Sequence, residues 1–254
     1  MSELVSLSVD PSGAAEILID RPERHNAMTL DMYESLLALV GKCEADISVR
    51  CILLRGAGGK SFISGTDIGY FTGFRDGRDG VAYEAFVERV IGTVERIAKP
   101  TIAVIDGWAV GGGLALATAC DFRVCSDASR FGAPIAKTLS NTLSSRNIAR
   151  LQAALGTPRV KKMLLLADYL TADEALACGY VYQVCAPGLL QEAAHTLAER
   201  LMALSPVTQK AVKESLRRIV VEQRLDDDDL IEEVYGSASF KEAVLAFTSG
   251  SSKA

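Results

Sequence analysis

Histidine is scarce: His25 and His195 are the only two in 254 residues. Neither has a Cys, His or carboxylate at ligand spacing, so no dedicated metal site is expected. The six cysteines, Cys43, Cys51, Cys120, Cys125, Cys178 and Cys185, make no C-x-x-C pair. Their apolar, strand-like or helical surroundings predict reduced core thiols rather than a disulfide frame. Positive charge is not in excess either, with 27 Lys and Arg against 32 Asp and Glu and a net charge of -5. Such a chain has no general field for nucleic acid or anionic lipid, and neither partner is expected. Long apolar runs are missing: stretches such as Thr101 to Ile105 fall far short of the roughly 20 residues that cross a bilayer. Met1 to Ser6 lacks the basic and then apolar pattern of a secretory signal, and the expectation is a cytoplasmic protein.

What is present is a chain 49% hydrophobic and 23% charged, long enough for one large domain, or one with an appendage, and a core without staples. Leu4 to Val9 and Ala15 to Ile19 read as strands around the turn Asp10-Pro11-Ser12-Gly13. Thr29 caps a helix whose apolar positions Met32, Tyr33, Leu36, Leu37, Val40 and Cys43 follow the helical period. Cys51 to Leu54 is a strand, Phe71 to Gly80 has a loop composition, and a helix runs from about Val81 to Ala98. Pro100 stops it before the buried strand Thr101 to Ile105. Leu114 to Ala119 reads as helix and Phe122 to Val124 as strand. This alternation to about residue 187 indicates an α/β layered fold. From about Gly188 only helices are predicted, at Leu189 to Leu204, Val207 to Leu225, Ile231 to Tyr235 and Phe240 to Phe247. Asp226 to Asp229 reads as a solvated turn or helix start.

Several motifs fail. Gly59-Lys60-Ser61 ends like a phosphate loop, but the first glycine's place is taken by Leu54 inside a strand. Gly111-Gly112-Gly113 lacks the third glycine of a dinucleotide fingerprint, and no G-x-S-x-G elbow occurs. Two strand-to-turn junctions remain, Phe62 to Ile68 and Gly107 to Leu114. Each puts small residues where a strand ends and a helix begins, so free backbone N–H groups can point into one cavity and suit an oxyanion. The same residues also fit two ordinary βα turns.

Arg21-Pro22-Glu23-Arg24-His25-Asn26-Ala27-Met28, Phe62 to Ile68, Lys99-Pro100 to Gly113, Cys120-Asp121-Phe122-Arg123 and Phe131-Gly132 together resemble the crotonase, or enoyl-CoA hydratase/isomerase, family. The order and spacing match over nearly the whole chain. The resemblance implies an α/β crotonase-like spiral of ββα units over residues 1–187 and a C-terminal helical oligomerisation segment over residues 188–254. It implies a homotrimer or dimer of trimers. It also implies an acyl-CoA thioester as substrate, with CoA as part of the substrate and no other cofactor. Matching the motifs puts the two backbone donors of an oxyanion hole on Thr66 and Gly112. Arg24, His25, Ala27, Ser64, Asp67 and Ile68 then border the CoA moiety, with Ile135 and Leu139 lining the acyl pocket.

The departures bear on the reaction. Hydratases of this family carry glutamates where this chain has Ala115 and Ile135, and neither side chain can move a proton. Where many relatives carry a lysine two residues after the aspartate, Gly69 stands here. Substitute acids are sought nearby: Glu84 and Glu88 lie one turn apart, roughly opposite the apolar face of their helix, either solvated or walling the acyl pocket. Asp67 is a further candidate, with capping or CoA-side packing as its other role. The reading is a lyase or isomerase acting through an enolate. A non-catalytic acyl-CoA-binding protein and a hydrolase of the same fold stand as alternatives.

Overall fold

A computed structural model describes residues 3–248. Strands β1 (Val5–Val9) and β2 (Ala14–Ile19) form the expected hairpin, pairing antiparallel from Val5 with Ile19 to Val9 with Ala15. Asp10 fixes the turn by accepting from the Ser12 and Ala14 N–H groups at 2.8 and 3.1 Å. Helix α1 (Leu30–Ala45) follows, with the Thr29 hydroxyl accepting from the Met32 N–H as its cap.

A ββα unit then repeats. Strands β3 (Cys51–Gly56) and β4 (Ser61–Ile63) lead to α2 (Gly77–Arg96); β5 (Thr101–Ile105) and β6 (Trp108–Val110) lead to α3 (Gly112–Ala119). Strands β7 (Phe122–Ser126) and β8 (Arg130–Gly132) lead to α4 (Ser145–Leu155). The first strand of each unit joins a six-stranded sheet, completed by β10 (Gln183–Cys185), in the order β1-β2-β3-β5-β7-β10, parallel apart from β1. The second strand joins a smaller sheet, β4-β6-β8-β9, in which β9 (Leu170–Thr171) is antiparallel. Between α4 and β10 lie α5 (Thr157–Leu165) and α6 (Ala172–Ala177).

Strand residues alternate between two cores, as a period of two requires. Ile52, Leu54, Ala103 and Ile105 face Met32, Leu36 and Val40 of α1 and Val90 and Val94 of α2. Cys51, Leu53, Ile102 and Val104 face the opposite way, onto Leu190, Ala194, Leu197 and Leu201 of α7 (Leu190–Met202). The C-terminal segment therefore begins by closing one face of the larger sheet. Both faces are covered, which is why β5 is buried at every residue. The six cysteines are free thiols.

Two sequence readings are corrected. Helix α2 starts at Gly77 because Asp76 and Asp79 form a capping box, and Ile68–Gly73 winds into a 3₁₀ helix, so little of Phe71 to Gly80 is irregular. The helix expected from Val207 to Leu225 is α8 (Pro206–Arg217) followed by a π-helical turn, Arg218–Glu222, that ends at Gln223 with φ of +55°. Buried Arg218 then reaches both oxygens of Asp229 at 2.7 Å, tying in α9 (Asp228–Gly236), so the acidic run is a helix start. Helix α10 (Ala238–Thr248) closes the described chain.

Candidate functional site

β4 and β6 pair side by side in parallel, so the turns that follow them, Ser64 to Asp67 and Gly111 to Gly112, leave the same edge of the smaller sheet. Gly65 has φ of +108°, a region open to glycine. A Cβ there would lie 3.4 Å from the Val110 oxygen and 3.6 Å from the Gly112 nitrogen, so the two turns touch. At Gly113 a Cβ would stand 1.9 Å from the Ile63 oxygen: α3 seats on β4 only with glycine at this position.

Met28 bridges Thr66 in parallel, its N–H donating to the Gly65 oxygen at 2.8 Å and its oxygen accepting from the Asp67 N–H at 2.9 Å. In such a bridge the central residue's own N–H points away from the partner strand, and Thr66 therefore turns its N–H away from Met28. Gly112 opens α3, where the first N–H groups have no intrahelical carbonyl. The Gly111 N–H is already given to the Gly132 oxygen at 3.0 Å. Adjoining turns thus carry one backbone donor each, the second at a helix start, an arrangement suited to binding an oxygen that gains negative charge.

Residues 24–28 run beside this edge. The Ser64 N–H donates to the His25 oxygen at 3.2 Å, and His25 Nδ1 lies 3.2 Å from Ser61 Oγ. Arg24, His25 and Ile68 are exposed, while Ala27 and Ser64 are half-buried. These residues, with Asp67, are therefore gathered along one edge. Asp67 itself is held: its Oδ2 accepts from Arg21 at 2.7 Å and its Oδ1 from the Gly69 N–H at 3.0 Å. The Arg21 hydrogen bond, with that from Gly69, lowers the carboxyl below its ordinary value, so Asp67 is an anionic clip across the two segments.

Glu84 and Glu88 are not on a solvated face. Helix α4 covers them, which the helical wheel of α2 alone does not reveal. Both oxygens of Glu88 accept from Arg150, at 2.7 and 2.8 Å, and Arg150 also grips Glu95 at 2.8 and 3.0 Å. Glu84 instead accepts the Ser144 N–H at 2.7 Å, at the N-terminus of α4. Among the described residues it has no cation partner. Burial pushes its carboxyl above the ordinary value, against the Ser144 hydrogen bond and with the nearby charge of Glu88.

The motifs did not reveal two hydroxyls. The Thr66 side chain sits between two phenols, 3.0 Å from Tyr33 Oη and 2.7 Å from Tyr83 Oη. Tyr33 is fully enclosed, and a Cβ on Gly112 would lie 2.8 Å from its oxygen, which places it against both turns. Burial pushes the Tyr83 phenol up to about 12, so it is protonated at neutral pH. Tyr70, Phe71 and Phe74 pack around Tyr83 with ring centroids 5.8, 4.9 and 6.2 Å away. A tyrosine in a helical apolar stripe, as Tyr33 is, carries a hydroxyl that needs a buried partner; that was the available signal.

Ala115 is buried on the first turn of α3, and Ile135 is half-buried three residues beyond Gly132. Leu139 is 40% exposed, on the turn that follows Ile135. A cavity of ≈ 560 Å³ lies elsewhere, between Thr118, Phe122 and Arg150 on one side and Leu201, Val212 and Leu216 on the other. No group of three or more metal-ligating side chains occurs among the described residues, and no helix there is long and apolar enough to cross a membrane.

The repeated ββα units and the backbone donors at their paired turns define a layered α/β protein whose site is built chiefly from main chain. Comparison narrows the class. The family described as Enoyl-CoA hydratase/isomerase matches residues 10–250. The short-chain-enoyl-CoA hydratase of Clostridium acetobutylicum is 32% identical over 217 residues, 85% of this chain and 82% of that protein. A probable enoyl-CoA hydratase of Rhizobium meliloti is 30% identical over 250 residues, 95% of this chain and 94% of that one. The crystal structure of an enoyl-CoA hydratase/carnithine racemase from Magnetospirillum magneticum superposes with a TM-score of 0.87 at 29% identity, covering 98% of this chain and 94% of that one. The chain belongs to the enoyl-CoA hydratase/isomerase family and has the crotonase fold.

Proposed function

We propose that the protein binds an acyl-CoA thioester with its carbonyl oxygen between the N–H groups of Thr66 and Gly112, and stabilises the enolate formed from it. The observation that carries this reading is the contact of Gly65 with Gly112, beside a Thr66 N–H turned away from Met28. When charge moves from the α-carbon to the thioester oxygen, fixed donors at that oxygen are commonly worth several kcal/mol in the transition state. The edge formed by Arg24, His25, Ala27, Ser64, Asp67 and Ile68 would carry the CoA moiety, with Ile135 and Leu139 on the acyl side. Apolar side chains exposed on α9 and α10, such as Tyr235 and Phe247, support self-association, for which the family resemblance implies a trimer or dimer of trimers.

Enzymatic chemistry of a hydratase-like kind is supported by the named relatives, but the motif matching, which puts Ala115 and Ile135 at the two glutamate positions, argues against the two-glutamate route. Arg21 holds Asp67 and Arg150 holds Glu88, which leaves Glu84 as the carboxylate free of a cation and with its proton affinity raised by burial. A lyase or isomerase using Glu84 to move the α-proton is the reading we adopt. Incubating the protein with butyryl-CoA in deuterated buffer and following the thioester mass tests it. Deuterium should enter the α-carbon, and Glu84→Gln should slow entry about 10²- to 10⁴-fold. Tight binding without any exchange would make the protein a non-catalytic acyl-CoA binder; release of free CoA would make it a hydrolase.

A further inference from the structure

The turn that carries the Thr66 N–H lies beyond the sheet. β4 ends at Ile63, and past it the turn is tied to residues 25–28 by main-chain bonds. The Ser64 N–H donates to the His25 oxygen at 3.2 Å, the Met28 N–H to the Gly65 oxygen at 2.8 Å and the Asp67 N–H to the Met28 oxygen at 2.9 Å. The direction of the Thr66 N–H therefore depends on where that segment is held. The segment belongs to no strand of its own. His25 and Asn26 have φ of +52° and +56°, a left-handed pair that interrupts extended backbone. Side chains must hold it instead. Fully buried Asn26 anchors it to the β3–β4 connection: its Nδ2 donates to the Ala57 and Ser61 oxygens at 2.9 and 2.7 Å, and its Oδ1 accepts from the Arg21 N–H at 2.9 Å. Arg21 closes the other end, with Nη1 donating to the Ala27 oxygen at 3.0 Å and to Asp67 Oδ2 at 2.7 Å. Ala27 precedes Met28 and Asp67 follows Thr66, so one nitrogen clamps both sides of the Met28–Thr66 bridge.

We propose that Arg21 and Asp67 are a positioning pair that fixes the direction of the Thr66 N–H, and so sets how strongly the site polarises a thioester carbonyl. The proposal rests on the seating of that carbonyl between Thr66 and Gly112. In this role both side chains act through the main chain and neither moves a proton. Hydrogen bonds between charged partners are roughly twice as strong as neutral ones, which suits a clamp on a turn outside the sheet. Precision matters there, because a misplacement of about 1 Å in a reacting site can cost about 10²-fold in rate.

The test is infrared spectroscopy of butyryl-CoA isotope-labelled at the thioester carbonyl, at saturating ligand, with affinity measured by calorimetry. Bound to wild type, the carbonyl should stretch at lower frequency than in the free thioester, because fixed donors polarise it. Arg21→Met should lose most of that shift while affinity changes far less. Asp67→Asn, of nearly the same shape and still able to accept from the Gly69 N–H, should lose it as well. The double variant should lose no more than the larger single loss, because two groups acting as one unit are not additive. The side chains are 16 and 34% exposed, and melts establish that each variant is folded. A merely structural role would lower Tm and leave the shift in place. A shift kept by both single variants, losses that add in the double variant, or folded variants that no longer bind the thioester would each overturn the pairing while leaving the seating of the carbonyl intact. Wild type that binds with an unshifted carbonyl, or does not bind, overturns that seating and this inference with it.

Discussion

Arg150 offers a direct test of how α4 is held over α2. Its side chain is 4% exposed, against 14% for Glu88 and 16% for Glu95, and Nη1 also donates to Asn147 Oδ1 at 3.0 Å. One guanidinium thus satisfies two carboxylates. Arg150→Met keeps an apolar stem of similar length and removes the charge, leaving two anions together under a helix. Removing one partner of a buried ion pair typically costs about 3–5 kcal/mol, because the remaining charge cannot recover its hydration. In a chain of this size that lowers Tm by roughly 6–20 °C. The loss should come from the orphaned carboxylates rather than from lost attraction. Adding Glu88→Gln and Glu95→Gln to Arg150→Met should then restore much of the stability, since replacing a whole buried ionic group with neutral side chains is often close to neutral. Circular dichroism melts of wild type, the single variant and the triple variant give the three values. A drop below about 1 kcal/mol for Arg150→Met, the scale of an exposed pair, or a triple variant no better than the single one, would refute the reasoning.

Other outcomes follow from the same contacts. Hydration of crotonyl-CoA should be orders of magnitude slower than in a two-glutamate relative, each missing acid-base group accounting for about 10²- to 10⁴-fold. A stopped assay on wild type and on Ala115→Glu with Ile135→Glu checks this; a wild-type rate of roughly 10² s⁻¹ would contradict it. Glu214 is held at about 2 by its hydrogen bonds to Arg217, against burial, and to Arg218. A carboxyl depressed in the folded state stabilises above its unfolded value of 4.5, and that contribution is lost as pH falls through the folded value of about 2. Glu214→Gln should therefore flatten the acid limb of a stability-versus-pH curve, and an unchanged limb would count against it. Glu84 has the opposite sign. Raised by burial, its carboxyl makes stability fall as pH rises past its unfolded value of 4.5, so Glu84→Gln should remove that slope in urea titrations. Sedimentation should show an oligomer, a trimer or a multiple of one if the family resemblance extends to assembly, because Tyr235, Leu245 and Phe247 stay 61, 67 and 77% exposed in a lone chain; a stable monomer at micromolar concentration would end that expectation.

By itself the sequence determined the frame. Alternating apolar strands, the hairpin turn at Asp10 to Gly13 and the stop at Pro100 marked the elements, because strand period, turn chemistry and a missing N–H group act over a few residues. The junctions at Gly65-Thr66 and Gly111-Gly112 were legible for the same reason: a strand end, a glycine and a helix start are local facts. That they touch was decided by the parallel pairing of β4 with β6. The start of α2 was misplaced because Asp76 and Asp79 act as a reciprocal cap, and an acid-rich turn looks like a loop until the cap closes. Tertiary structure alone decided the fates of the carboxylates and hydroxyls. A helical wheel shows that Glu84 and Glu88 point away from the apolar stripe of α2, but not that α4 covers them, and Arg150 lies 62 positions from Glu88 in the chain. Tyr33 looked like core and Tyr83 was unremarked, yet they meet at Thr66 from 33 and 17 positions away. Ion pairs and hydroxyl chains form between elements that only the whole fold brings together, and residue type records the need for a partner without saying which one fills it.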